Sequence, residues 1–222
     1  MCQLFYILED ENYIMQETIL LYITSLFTMI NPIGTIPLFV SLTKGFSHEE
    51  KKKTVIKASI TAFITLCLLA FVGKWIFDFF QISIASLKVV GGFLFFMMGY
   101  EMLRGRTVPK KLENESDESF GSEIAITPLA IPMICGPGAI TMVLLFMQDA
   151  NNIQSKSLLV ISIAVVMLLT ALILSGGEKI LRLCGDNGSK VMMRLMGLIV
   201  MLIGVEFFFS GVEPYVRAIL KI

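Results

Sequence analysis

The sequence predicts an all-helical membrane protein of six transmembrane helices, arranged as two inverted three-helix repeats in which helices 1 and 4 are discontinuous. Three observations lead to this prediction. Hydrophobic residues make up 55% of the 222 residues and charged residues only 16%, a balance too apolar for a soluble domain. The apolar residues fall into six stretches that are each long enough to cross a bilayer. Two of these stretches contain proline and glycine near their centres.

The six stretches divide into two halves of three. An N-terminal extension is predicted over residues 1–17, repeat 1 over 18–103, a cytoplasmic linker over 104–123, repeat 2 over 124–212 and a C-terminal tail over 213–222. The linker is the longest hydrophilic stretch of the chain and separates the halves. The predicted spans are 18–40, 55–77 and 84–103 in the first half, and 124–147, 157–177 and 192–212 in the second.

The basic residues predict the orientation, because lysine and arginine are enriched in the cytoplasmic loops of membrane proteins. If the N-terminus lies outside, thirteen basic residues fall on the inner side and five on the outer side. The reverse orientation would invert this bias. Both termini are therefore predicted to lie outside.

An internal repeat relates the two halves. The segment Asn31-Pro32-Ile33-Gly34 resembles Gly136-Pro137-Gly138-Ala139, and the prolines are 105 positions apart. Because each half holds an odd number of spans, the second half must enter the membrane from the opposite side. The same offset superimposes three further pairs, namely Gly92 and Gly197, Gly99 and Gly204, and Glu101 and Glu206.

The first and fourth spans contain residues that a continuous helix avoids. Proline lacks a backbone donor and clashes with the preceding turn, while glycine permits non-helical conformations. At 1.5 Å per residue, Asn31 and Gly136 each lie ~20 Å into their spans. Open backbone at that depth must be buried in protein or line a watery cavity, since lipid cannot satisfy its polar groups. Proline kinks without a ligand are the structural alternative.

Such breaks suit a small zwitterion, because half-helix ends present free N–H groups to a carboxylate and free carbonyls to an ammonium or a cation. Neither broken span contains a charged residue, which favours a neutral or zwitterionic substrate. Ionisable groups within spans are candidates for proton relay or ion coupling. The substrate-binding candidates are Asn31, Pro32, Gly34, Thr35, Gly136, Pro137, Gly138 and Thr141, and the further polar or ion-coupling candidates are Ser25, Thr28, Glu101 and Glu206.

Other classes of function lack their signatures. Eighteen basic residues balance eighteen acidic ones, so no nucleic-acid partner is predicted. No Cys/His cluster indicates a metal site, and no catalytic motif indicates an enzyme. No nucleotide-binding motif is present either, so direct energisation by ATP is not expected; no cofactor is predicted, and H+ or Na+ is the candidate coupling ion.

The two broken segments resemble a known family. Residues 31–39 (NPIGTIPLF) and 128–141 (PLAIPMICGPGAIT) are similar to the two signature segments of the MarC family of bacterial inner-membrane proteins. The resemblance covers nearly the whole chain and implies a transporter of small neutral amino acids, of the glycine, alanine and serine class, in the bacterial inner membrane. Two alternatives stay open: a non-transporting accessory or stress-linked protein, and an exporter of another small neutral solute.

Overall fold

A computed structural model describes residues 2–104, 121, 124–150, 152–183 and 185–220. Over these residues the protein contains helices and connecting turns, with no β-strand. Apart from residues 104 and 121, the predicted linker over 104–123 lies outside the described residues. The helices are α1 (Cys2–Ile30), α2 (Pro32–Leu42), α3 (His48–Phe79), α4 (Ile84–Arg104), a π-helical segment (Ala125–Ile134), α5 (Pro137–Asp149), α6 (Ile153–Leu183) and α7 (Gly185–Leu220).

Among the described residues, five helical stretches are long and apolar enough to cross a membrane, and the bent pair formed by the π-helical segment and α5 makes a sixth if it counts as one span. The prediction of an all-helical membrane protein is therefore confirmed for the described residues, which contain five to six candidate spans where six were predicted. The stretches are Met15–Leu42, His48–Phe79, Ile84–Arg104, Ile153–Gly177 and Lys190–Leu220. The last one continues through Pro214, beyond the predicted end of span six at residue 212.

The outer faces of the helices carry large apolar side chains. Phe71 and Trp75 on α3, Phe93 on α4, and Leu168 and Leu172 on α6 are more than half exposed. Such residues would aggregate in water, whereas lipid chains accept them. This surface agrees with a chain that is embedded in the bilayer.

A central apolar core joins α1, α2, α3, the π-helical segment, α5 and α6. Leu26, Leu66, Ile134, Val143 and Ile163 are fully buried in it. A smaller cluster, which includes Leu38, Phe95, Met133 and Val200, attaches α4 and α7 to this bundle. The molecule thus consists of a bundle with one additional helix pair packed against it.

Helices α4 and α7 form that pair and pack against each other antiparallel, with glycines at the crossing points. A Cβ atom added to Gly92 would lie 2.5 Å from the carbonyl oxygen of Gly204, and one added to Gly99 would lie 2.5 Å from that of Gly197. No side chain fits such gaps, so these glycines let the two backbones touch. The seven-residue glycine spacing in each helix places its glycines on one face.

Candidate functional site

A small cavity lies beside the helix break at Asn31, on the side that faces α4 and α7. Its volume is about 30 Å³, which is room for one or two water molecules. The first span, the π-helical segment, α4 and α7 all contribute to its wall, so it lies between the bundle and the helix pair. The lining residues are Met29, Ile30, Asn31, Gly34, Thr35, Phe95, Met98, Met133, Val200 and Ile203.

The break at Asn31 is one residue long and is capped by its own side chain. Asn31 has φ 46° and ψ 60°, the left-handed conformation that asparagine tolerates better than most residues. The backbone N–H of Gly34 donates to Asn31 Oδ1 at 3.1 Å, and the Thr35 hydroxyl donates to the Asn31 carbonyl oxygen at 3.2 Å. Pro32 occupies the first helical position, where its missing N–H is not needed.

Gly34 is a glycine because the Asn31 amide lies against it. A Cβ added to Gly34 would stand 2.4 Å from Asn31 Nδ2. The cap uses only the oxygen of this amide, and within the described part of the chain no hydrogen bond of Nδ2 is seen. The Nδ2 group therefore has no hydrogen-bond partner among the described residues, and it belongs to a side chain of the cavity wall.

The second break is longer and differs in kind. The π-helical segment contains two residues with extended backbone, Thr127 and Ile131, and it meets α5 at an angle of 59°. Gly136, which precedes α5, is extended and provides no side-chain cap. The Cys135 thiol donates to the carbonyl oxygen of Ala62 at 3.3 Å, which attaches the break to α3.

Side chains fill the space around Gly136, Pro137 and Gly138. A Cβ added to Gly136 would lie 2.6 Å from Cζ of Phe95, and one added to Gly138 would lie 3.1 Å from Met29 Sδ. Phe95 is 8% exposed and also lines the cavity at Asn31. The phenyl ring of Phe95 thus stands between the first break and the second.

The predicted site residues divide into three groups. Asn31, Gly34 and Thr35 line the cavity, and Pro32 is buried next to them. Gly136, Pro137 and Gly138 do not line the cavity, since Gly136 lies against the Phe95 ring, Pro137 against Gly91 and Gly138 against Met29, and Thr141 is buried without lining it either. The Thr141 hydroxyl has no hydrogen-bond partner among the described residues.

The four further polar candidates do not line this cavity. Ser25 is half-buried, and the exposed Thr28 donates its hydroxyl to the carbonyl oxygen of Thr24 at 2.8 Å. Glu101 and Glu206 are exposed on α4 and α7. Glu206 lines a shallow groove along α7 instead, together with Phe209, Ser210 and Glu213.

Sequence reasoning missed the apolar wall of the cavity, although the repeat offset carried a signal for it. Phe95 and Val200 are 105 positions apart, and so are Met98 and Ile203. All four residues line the cavity. The repeat predicted these positions to be equivalent, but it did not indicate which helix faces would turn towards Asn31.

Comparison with known proteins gives a family for residues 16–216, which match the MarC family integral membrane proteins. A UPF0056 membrane protein of Pyrococcus horikoshii is 40% identical over 197 residues, covering 89% of this chain and 95% of the relative. Another, from Methanocaldococcus jannaschii, is 34% identical over 87% of this chain and 95% of its own length. The UPF0056 membrane protein YvbG of Bacillus subtilis is 35% identical, over 85% of this chain and 91% of the relative. No solved structure matches the chain.

Proposed function

The chain belongs to the MarC family of integral membrane proteins, and from that membership we propose that it is a secondary transporter of small neutral amino acids. The observation that carries the proposal is the cavity between the bundle and the α4–α7 pair, where Asn31 and Thr35 meet a wall of apolar side chains. No lining residue is charged. Such a site suits a small molecule without net charge, of the glycine, alanine and serine class.

The polar groups at the two breaks divide between the two ends of a zwitterion. Asn31 Nδ2 donates to the carboxylate. Pro32 and Pro137 have no N–H, so the carbonyls of Thr28 and Met133 lack the donor that a continuous helix would supply four residues later. Met133 lines the cavity and Thr28 does not, so the Met133 carbonyl is the proposed acceptor for the ammonium group.

The same proposal includes the inverted repeat with discontinuous helices 1 and 4. Helices α2 and α5 begin at prolines that are 105 positions apart. The glycine contacts agree with a two-fold axis that exchanges the halves. Such an axis maps Gly92 onto Gly197 and Gly204 onto Gly99, so it maps the contact of Gly92 with Gly204 onto the contact of Gly197 with Gly99. A two-fold axis that exchanges α4 and α7 would pass beside the cavity. It would place Phe95 and Val200 at equivalent positions of the cavity wall.

Binding requires the cavity to grow, because 30 Å³ does not hold an amino acid. Rotation of the Phe95 ring would join the space at Asn31 to the backbone of Gly136 and Gly138. The α4–α7 pair would then rock against the bundle and open the site to either side of the membrane. The proposed location is the bacterial inner membrane with both termini outside, and the proposed coupling ion is H+ or Na+.

The test is uptake of labelled glycine, alanine and serine into proteoliposomes under an imposed proton or sodium gradient. Wild type is compared with Asn31→Ala and with Asn152→Ala as the matched control. Asn152 also caps a helix, since its Oδ1 accepts from the N–H of Ser155 at 2.7 Å, but it does not line the cavity. We expect Asn31→Ala to lower uptake by about tenfold and Asn152→Ala to keep it.

Background flux of all three amino acids by folded wild-type protein would refute the proposal. It would favour a non-transporting accessory or stress-linked role. Gradient-driven flux of a different neutral solute would favour the exporter alternative.

A further inference from the structure

A lysine lies inside the third span, where charged side chains are rare. Lys88 stands on the second turn of α4, about 6 Å from the start of the helix. Its ammonium group crosses to α7 and donates a hydrogen bond to the Ser210 hydroxyl at 3.2 Å. A lysine that only anchored α4 would extend to the lipid headgroups, as long side chains near the ends of spans do. The hydrogen bond to α7 therefore needs another explanation.

Lys88 and Ser210 belong to the same helix faces as the apolar wall of the cavity at Asn31. Lys88 precedes Phe95 by seven residues on α4, and Ser210 follows Ile203 by seven residues on α7. Residues seven apart lie on one face of a helix, and Phe95 and Ile203 both line the cavity. Lys88 and Ser210 therefore lie in the interface between the bundle and the α4–α7 pair, about 10 Å along the helices from the cavity.

An aromatic pair lies between Lys88 and the cavity. Phe207 is one turn from Ser210 towards the cavity, and its ring packs edge-to-face against Phe95 with the ring centroids 6.3 Å apart. The Phe207 ring also reaches the second break, since a Cβ added to Gly138 would lie 3.1 Å from its Cζ. The two rings thus stand between the ammonium group and the cavity.

Among the described residues, no carboxylate forms an ion pair with Lys88. The acidic residues of α7 next to Ser210 are Glu206 and Glu213, one turn away on either side. Both are exposed on the shallow groove of α7, and Glu213 pairs with Arg217 at 2.9 Å. Lys88 is half-buried, and an ammonium group without a counter-ion is costly within a span. A carboxylate that enters the interface would gain a charge-assisted hydrogen bond from it.

We propose that Lys88 binds the carboxylate of a small amino acid before the amino acid passes the two rings to the cavity at Asn31. The Ser210 hydroxyl accepts from the ammonium group in the closed interface, and the incoming carboxylate replaces this neutral acceptor with a charged one. The site lies near the N-terminal end of α4, which the positive-inside bias predicts to be the outer end. This inference rests on the proposed transport of amino acids and gives it an entry site.

The test measures binding of propionate to the full chain in detergent by saturation-transfer difference NMR. Propionate has the carboxylate and the methyl group of alanine but no ammonium group, so it addresses Lys88 rather than the uncharged cavity. The test variant is Lys88→Gln. The matched control is Lys74→Gln, which removes an exposed charge near the C-terminal end of α3. Circular dichroism verifies that the variants are folded.

Two further variants separate a binding role of Lys88 from a structural one. If Lys88 only ties α4 to α7, Ser210→Ala should have the same effect as Lys88→Gln. We expect instead that Lys88→Gln weakens propionate binding on the order of tenfold. Ser210→Ala, Lys88→Arg and Lys74→Gln should bind propionate about as well as wild type. In proteoliposomes, Lys88→Gln should raise the KM for alanine uptake and keep the maximal rate.

Three results would overturn the proposal: equal binding, or none, by wild type and Lys88→Gln; equal losses in Lys88→Gln and Lys74→Gln; and equal losses in Lys88→Gln and Ser210→Ala. Uptake separates this proposal from that of transport. Propionate binding that depends on Lys88, without uptake of any amino acid by wild type, would refute transport and keep the carboxylate site. Alanine uptake with the same KM in wild type and Lys88→Gln would keep transport and refute the entry site.

Discussion

The break before Pro32 and the break before Pro137 lie 105 positions apart in the chain, but they are built differently. The first is a single left-handed residue, Asn31, whose side chain caps the next helix and reaches the cavity. The second extends over the π-helical segment and ends in Gly136, which has no side chain to contribute. The prolines determine where a helix stops, and the preceding residue determines which polar groups are then presented. The first break offers an amide, and the second offers only backbone.

The largest expected effect tests the packing of the second break. A Cβ added to Gly91 would lie 2.1 Å from Cβ of Pro137. The ring of a proline at the start of a helix is fixed to the backbone, so it cannot rotate away from this clash. Gly91→Ala should therefore lower the free energy of unfolding by about 2 kcal/mol. Thermal unfolding in detergent measures this change.

The control for this variant is Gly176→Ala in α6, where an added Cβ meets no atom within 4 Å. This substitution should stabilise the protein by about 0.5 kcal/mol, because alanine is the better helix former. An equal response of the two variants would mean that Pro137 does not press against Gly91.

The next prediction separates the backbone conformation of Asn31 from the hydrogen bonding of its side-chain amide. Asn31→Gly keeps the left-handed conformation at little cost, whereas Asn31→Ala adds about 1–2 kcal/mol of strain and loses the cap. In thermal unfolding, wild type and the glycine variant should both be more stable than the alanine variant. Uptake should fall by about tenfold in both, since both lack the amide donor. Full uptake by Asn31→Gly would show that the break needs only its shape.

The smallest effect compares one position at each break. Gly34 and Ala139 are 105 positions apart, and only Gly34 faces an asparagine amide. Gly34→Ala should displace the Asn31 side chain, reduce uptake and cost less than about 1 kcal/mol of stability, since a side chain can yield. Uptake assays and thermal unfolding measure the two effects.

A double variant supplies the control. In the Asn31→Gly background, Gly34→Ala should cause no further loss of uptake, because the amide that it displaces is already absent. Additive losses of uptake would mean that Gly34→Ala does not act through the Asn31 amide. Ala139→Gly should leave uptake unchanged.

The sequence predicted the features that depend on local chemistry. Pro32 and Pro137 indicated where new helices start, and the repeat offset paired Gly92 with Gly197 and Gly99 with Gly204, the glycines at which α4 and α7 pack closely. The partners of that packing could not be predicted, because periodicity describes a face and not what it meets. Phe95 shows this limit, since no local pattern distinguishes its ring from the other phenylalanines of α4. The left-handed φ of Asn31 and the π-helical segment likewise depend on tertiary contacts.

Methionines make up much of the cavity wall, and this has a consequence for its size. Met29, Met98 and Met133 line it from three different parts of the chain. Thioether side chains are unbranched and have three rotatable bonds, so they fill irregular gaps without fixing them. The volume of the cavity therefore depends on a few torsion angles rather than on the backbone. A wall of this kind would adjust to solutes that differ by a methyl or a hydroxyl group.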